Sequence, residues 1–287
     1  MTLLVLADST DETAVRFARA ASERGVEAVV AADFDRLAVS VTVSRELRPR
    51  STVLVDGRPP AGILCRGRAD LSTRPTPAAR FAADERQAAV WSAVALWPGP
   101  VVNRPTVHGY PPRLDPLELA ASAPGVLPAG TLTDGRDATG ANHAYRISDY
   151  VPLDPAARTP FDVVHLTRID AGRTHRLLFA GTSTFHLGDP GRRPDLARHA
   201  PQVTLIRNWL HAKQTDFAIV TVETAEAADG ALRLLEASPW ANHHQFASVA
   251  DAAYAALLAR LTRQPRPPRQ PRPPRQPRPP RRPRPVG

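Results

Sequence analysis

Two carboxylates, Glu223 and Glu236, are where this sequence first suggests chemistry. They lie in the stretch FAIVTVETAEAADGALRLLEASPW, Phe217–Trp240. Phe217–Val222 is an apolar, β-rich run, Ala228-Asp229-Gly230 carries a turn signal, and Leu232–Leu235 is a second apolar run, so a β-hairpin is predicted. Glu223 falls near the end of the first strand and Glu236 at the end of the second. Two acids leaving a buried sheet close together suit a divalent cation or acid–base work. A pair of solvated strand-end acids is the plainer alternative. Asn242, His243 and His244 follow shortly after. Adjacent histidines on an extended chain point in different directions and do not form an i, i+4 metal face, so they read as polar groups beside Glu236 or as a solvated loop. Cys65 reads as a small buried hydrophobe.

Those side chains need a scaffold, and the chain supplies its parts in order. Thr2–Ala7 is an apolar strand. Asp8-Ser9-Thr10-Asp11 can cap a helix whose apolar face is Ala14, Phe17, Ala18 and Ala21, and Gly25 closes it. Val26–Ala31 is the next strand. Strand, helix and strand in this order form a βαβ unit and start a parallel sheet. No G-x-G-x-x-G follows the first strand, which argues against dinucleotide binding. Thr52–Val55 and Ala61–Cys65 are expected to pair around Asp56-Gly57. Phe81–Leu96 is helical, with Phe81, Ala88, Trp91 and Val94 inward, and Val101-Val102 is a short strand.

Further on, Pro116–Ala123 predicts a helix capped by Asp115, Thr133–His143 a loop, and Arg146–Val151 a short strand. Phe161–Ile169 and Thr174–Ala180 are expected to form a hairpin through Asp170-Ala171-Gly172. Gly188–Pro194 reads as loop. Val203–Lys213 is a helix burying Leu205, Ile206, Trp209 and Leu210, and Phe246–Leu261 is a final amphipathic helix.

The net charge of +9 suggests a nucleic-acid partner until it is located. Nine arginines and no acids lie from Arg263 onward; the remainder carries 28 basic and 28 acidic residues. The tail repeats RQPRPP, placing arginine at every third position from 263 to 284. Such a segment is expected to be disordered and polyproline-II-like, with one charged stripe able to meet an acidic protein or nucleic acid. A solvated low-complexity extension is the alternative. Lys213 is the only lysine, so a phosphate site must rely on arginine, backbone N–H groups or metal. With one cysteine no intrachain disulfide can form, and no run approaches the ~20 apolar residues that span a bilayer. A cytoplasmic location is the expectation.

Several pieces together resemble the ATP-grasp superfamily, particularly its ribosomal-peptide-maturing members and the ribosomal-protein glutamate-ligase type. The pieces are Ile63–Arg66 before the Phe81–Leu96 helix, Val101–Pro105, GVLPAGTLT at Gly125–Thr133, THRLLFAG at Thr174–Gly181, and the Phe217–Trp240 hairpin. The resemblance covers about Leu3 to Phe246. It implies an α/β fold: a small parallel-sheet, pre-ATP-grasp-like domain over 1–105, a shortened ATP-grasp-like α+β domain over 106–262, and the tail over 263–287. It further implies ATP and Mg2+, activation of a carboxylate as an acylphosphate, and attack by an amine or other nucleophile, with a peptide as the candidate substrate.

By that resemblance Arg176 falls near the reacting phosphate, and Asp149, Tyr150 and Val151 fall in the hinge that meets adenine. Glu236 falls on the metal-binding glutamate. Two departures stand out: Thr221 and Ser238 occupy positions where the family places an Asp and an Asn that hold metal. Glu223 and Asn242 are the candidates to compensate, and Ser238 keeps an oxygen donor. The family's two phosphate-contacting lysines have no counterpart. The reading is therefore an ATP-dependent ligase if active. The alternatives are a degenerate grasp fold that holds a peptide or partner enzyme, and an interaction module driven by the arginine tail.

Overall fold

Alternation and burial sort the first hundred residues into a parallel sheet with helices on both faces. The computed structural model describes residues 1–32, 34, 36–67, 76–106, 109–112, 114–115, 118–119, 130–133, 143–146, 152–153, 164–167, 174–188, 191, 194–224 and 232–263. Strands β1 (Thr2–Leu6) and β2 (Glu27–Ala31) flank helix α1 (Glu12–Ser22). The Asp11 carboxylate caps α1 by accepting from Ala14 N–H, and Gly25 takes a positive φ just beyond its end.

The next segment departs from expectation. β3 (Leu37–Val43), where no strand is expected, pairs antiparallel with β4 (Pro49–Val55) in a separate two-stranded ribbon. β5 (Gly62–Cys65) does not pair with β4; it runs parallel to β1. Asp56 and Gly57 do turn the chain, both at positive φ, but pairing stops after Val55 and Arg58. Pro59-Pro60 explains why: neither residue has an N–H to continue a ladder. All four residues of β5 are buried, as befits a strand covered on both faces. With β6 (Val101–Val102) the sheet order is β2-β1-β5-β6.

Helix α2 spans Pro77–Leu96, starting earlier than expected with Thr76 as its cap. Its buried face is Gln87, Val90, Ala93 and Val94; Phe81, expected inward, is 67% exposed. The expected Pro116–Ala123 helix lies mostly outside the described residues.

Strands β7 (Gly130–Thr133), β8 (His143–Arg146), β9 (Pro152–Leu153) and β10 (Val164–Thr167) form an antiparallel sheet in the order β7-β10-β8-β9. Of the strand expected at Arg146–Val151 only Arg146, the last residue of β8, is described; residues 147–151 and the expected loop at 134–142 lie outside the described residues. The expected hairpin between Phe161–Ile169 and Thr174–Ala180 does not form. β10 has both edges taken by β7 and β8, whereas β11 (Thr174–Ala180) is enclosed by β12 (Ser183–Leu187) and β13 (Phe217–Thr224). A strand has only two edges, so these two belong to different sheets. β14 (Leu232–Ser238) pairs with β13 as predicted, completing the order β12-β11-β13-β14.

One face of this last sheet buries Leu177, Phe179, Ala218, Val220, Val222 and Leu234 against Val203, Ile206, Trp209 and Leu210 of helix α3 (Ala200–Ala212). Its other face shares a core with the parallel sheet. Leu178, Ala180, Phe217 and Ile219 join Leu3, Val5, Leu64 and Val102, with Tyr254, Leu257 and Leu261 of the terminal helix α4 (Ala250–Thr262) between them. Gly62 permits this closeness, because a Cβ there would lie 2.5 Å from the Leu261 carbonyl oxygen. Among the described residues no helix is long and apolar enough to cross a membrane. The arginine repeat from residue 264 onward lies outside the described residues.

Candidate functional site

The register of β11, β13 and β14 decides which side chains share a surface. Arg176 pairs with Thr221, and Thr221 with Glu236, so these three form one cross-strand row. Directly opposed residues point to the same face of a sheet. The neighbouring rows on that face are Thr174–Glu223–Arg233 on one side and Leu178–Ile219–Ser238 on the other. Leu178 and Ile219 belong to the shared core, while Arg176 and Glu236 are exposed and Thr221 is half-buried. The apolar floor therefore opens into a polar shelf at one end of the sheet. With ~4.8 Å between strands, Arg176 and Glu236 are held roughly 10 Å apart at the backbone, a span their side chains can close around a phosphate.

Glu236 owes its place to a β-bulge. The register shifts between Thr221 and Val222, so Leu235 is an extra residue with no partner in β13. Counting strictly from the Glu223–Arg233 pair, position 235 would face the shelf and Glu236 would point towards α3. The bulge moves the count by one, buries both Leu234 and Leu235, and returns Glu236 to the face of Arg176. A one-residue slip of this kind re-aims every side chain beyond it.

The other predicted residues are distributed as follows. Glu223 shares the face but is only 7% exposed and has the Arg233 guanidinium 4.0 Å away, so it does not pair with Glu236 across the hairpin. Ser238 lies on the same face, its Oγ accepting from Trp240 N–H at 3.2 Å. Asn242 stands off the sheet. It caps the short helix His243–Phe246, and its Oδ1 also accepts from Arg66 at 3.4 Å. Asp149, Tyr150 and Val151 lie outside the described residues. His243 is bonded to the Tyr254 hydroxyl at 2.9 Å, and burial, then the Arg16 charge, lower its pKa. Cys65 is fully buried, and burial pushes its thiol pKa far up, so it is inert.

Sequence reasoning missed the groups that fasten this sheet to the first one. Arg66, 1% exposed, follows β5 and donates to Asp11 at 3.2 and 3.3 Å, with its guanidinium 5.7 Å from the centre of the Phe217 ring. Asn103, fully buried at a positive φ, acts as a surrogate strand for Phe217: its amide donates to the Phe217 carbonyl at 2.8 Å and its oxygen accepts the Phe217 N–H at 2.9 Å. Arg104 donates to the carbonyls of Val94, Ala95, Trp97 and Gly99, satisfying the free end of α2. The Val-Val-Asn-Arg-Pro run contained the signal, since an Asn and an Arg directly after a buried strand must find partners.

No family model and no curated protein sequence matches the chain. Solved structures do. A RiPP-associated ATP-grasp ligase of Chryseobacterium gregarium, in complex with ADP and a leader and core peptide, superposes with a TM-score of 0.61 at 10% identity, over 91% of this chain and 96% of that one. The ATP-grasp ligase PsnB, complexed with precursor peptide PsnA2 and AMPPNP, gives 0.62 at 15% identity, over 91% and 98%. The macrocyclase MdnC of Microcystis aeruginosa, bound with precursor peptide MdnA, gives 0.60 at 12% identity, over 90% and 99%. The chain therefore has the mixed α/β fold of ATP-grasp ligases, with one parallel and several antiparallel sheets.

The donor set can be tested against a nucleotide-bound magnesium. Among the described residues no group of three His, Cys, Asp or Glu side chains gathers that could hold an ion alone. Magnesium, however, is commonly held by one or two carboxylates together with substrate phosphates. An exposed glutamate beside two hydroxyls and an arginine on one face fits that second arrangement.

Proposed function

We propose that the chain is an ATP-dependent ligase that activates a carboxylate, with a peptide as its substrate. The observation that carries this reading is the Arg176–Thr221–Glu236 row on the open end of a sheet in an ATP-grasp fold. Support comes from the superposed ligases, whose complexes contain ADP or AMPPNP together with peptide. In this reading residues 1–105 are the pre-ATP-grasp-like half and 106–262 the grasp.

Glu236 would hold magnesium with help from Thr221 and Ser238, and the ion would supply charge neutralisation of the phosphates. Arg176 donates to the γ-phosphoryl oxygens, where negative charge must be balanced during transfer. A substrate carboxylate oxygen attacks the γ-phosphorus, the bond to the β–γ bridging oxygen breaks, and ADP leaves. An amine or hydroxyl then attacks the acyl carbon, phosphate departs with its oxygen, and the nucleophile loses a proton to solvent. Arg66, buried on Asp11 and Asn242, keeps the exit of β14 fixed against the parallel sheet.

A second reading is a grasp that binds without turnover. It is favoured by Thr221 and Ser238 in place of stronger ligands and by the burial of Glu223 beside Arg233. Incubating the full chain with ATP, magnesium, hydroxylamine and a mixture of Glu- and Asp-containing peptides separates the two. Ligase action yields ADP, phosphate and peptide hydroxamates detectable by mass spectrometry; ADP formation without hydroxamate, or no ADP at all, contradicts acyl activation.

A further inference from the structure

A second cavity lies at the other end of the same sheet, on its opposite face. It encloses about 330 Å³ and is walled by Phe179 and Leu210, with Arg207, His211, Arg260 and Arg263 on its rim and floor. Gly181, at the end of β11, also lines it. From Arg176 to Gly181 the strand runs five residues, roughly 16 Å, so the cavity is remote from the polar shelf.

Its charge is unbalanced. Among the described residues three arginines face one carboxylate, Asp216. Asp216 is 9% exposed and already committed, accepting from Arg260 Nε at 2.9 Å and bonding His211 Nδ1 at 3.0 Å. Arg207 donates through Nη2 to Thr184 Oγ1 at 2.8 Å, but its buried Nε has no partner. Neither Arg207 nor Arg263 meets a carboxylate among the described residues. The Arg207 Nε is sealed from the cavity, so a ligand oxygen would be met by the outer nitrogens of the guanidinium. Guanidinium groups match carboxylate and phosphate oxygens in geometry, and the apolar wall strengthens the attraction by excluding water. The volume is that of a small-molecule site.

We propose that this cavity binds a small ligand through an oxyanion, a phosphate or carboxylate group held by Arg207 and Arg263, with Arg260 fixed by Asp216 as the third cation. The site is separate from the nucleotide shelf and does not depend on the ligase reading. The test is thermal unfolding and calorimetry of the full chain with inorganic phosphate and, separately, succinate, each against sodium chloride of equal ionic strength. A saturable rise in melting temperature with either anion is expected, and which anion gives it identifies the oxyanion. Arg207→Gln and Arg263→Gln should each weaken binding about tenfold. Glu236→Ala and saturating AMPPNP with magnesium should leave it unchanged. Arg263 is exposed, so its variant reports on binding even if Arg207→Gln folds poorly. A response no larger than chloride gives, one unaffected by Arg263→Gln, or one abolished by nucleotide would overturn the proposal.

Discussion

Glu236 and Arg66 have opposite relations to solvent, and their variants should separate binding from stability. Arg66 is buried against Asp11, and Asp11 also caps α1. Breaking a buried pair strands the remaining charge, so Asp11→Ala should cost about 3 kcal/mol or more in urea unfolding. A loss below about 1 kcal/mol would mean that Arg66 finds water or another partner there. His175 gives a pH signature. Its ring lies 5.6 Å from that of His186, and burial first, then the His186 and His199 charges, lower its pKa below the usual 6.5. A histidine held neutral in the fold contributes fully above pH 6.5 and loses that contribution as pH falls through the lowered value. Melting temperature should therefore fall on acidification below about pH 6.5, and His175→Gln should flatten the decline. An unchanged slope in the variant would assign the acid sensitivity elsewhere. Of these residues, the sequence made Glu236 visible through its place after an apolar strand. The role of Arg66 was hidden, because its partners are 55 and 176 residues away.

At the scale of elements, strands were legible wherever alternation and turn chemistry agreed. β13 and β14 form the predicted hairpin, and β1–α1–β2 the predicted parallel unit. The misreadings concern partners. Asp56-Gly57 made its turn, but Pro59-Pro60 blocked the ladder, leaving β5 to the parallel sheet and β4 to β3. Edge availability separated β10 from β11, and no local pattern reports edge availability. The bulge at Leu235 was equally hidden, since Leu234-Leu235 looks like an unbroken strand. It yields a sharp prediction. Deleting Leu235 removes the extra residue and puts Glu236 at the next alternate position after Arg233, still opposite Thr221 and on the face of Arg176. Magnesium-nucleotide binding, where it occurs, should then stay within about twofold of that of the intact chain. A tenfold loss would show that the bulge does more than set the face of Glu236.

For the molecule as a whole, the described residues on either side of the boundary expected at residue 105 are bonded to each other. Asn103 holds Phe217, Arg104 N–H donates to the Gln214 carbonyl at 2.9 Å, and α4 packs into a core drawn from both sheets. Gly62→Ala tests that unity: its Cβ would meet the Leu261 carbonyl at 2.5 Å, so α4 must move. A loss of about 1–3 kcal/mol in a single cooperative transition is expected in denaturant unfolding. Two separated transitions in the unmodified chain would contradict a shared core. The central claim is that the Arg176–Thr221–Glu236 row holds a magnesium nucleotide, and its most direct test is calorimetric titration of the full chain with AMPPNP and magnesium. Saturable magnesium-dependent binding is predicted, weakened at least tenfold by Glu236→Ala and strengthened by Thr221→Asp, which adds a carboxylate beside Glu236 on the same row. No heat of binding at millimolar nucleotide, or binding indifferent to both substitutions, would contradict it.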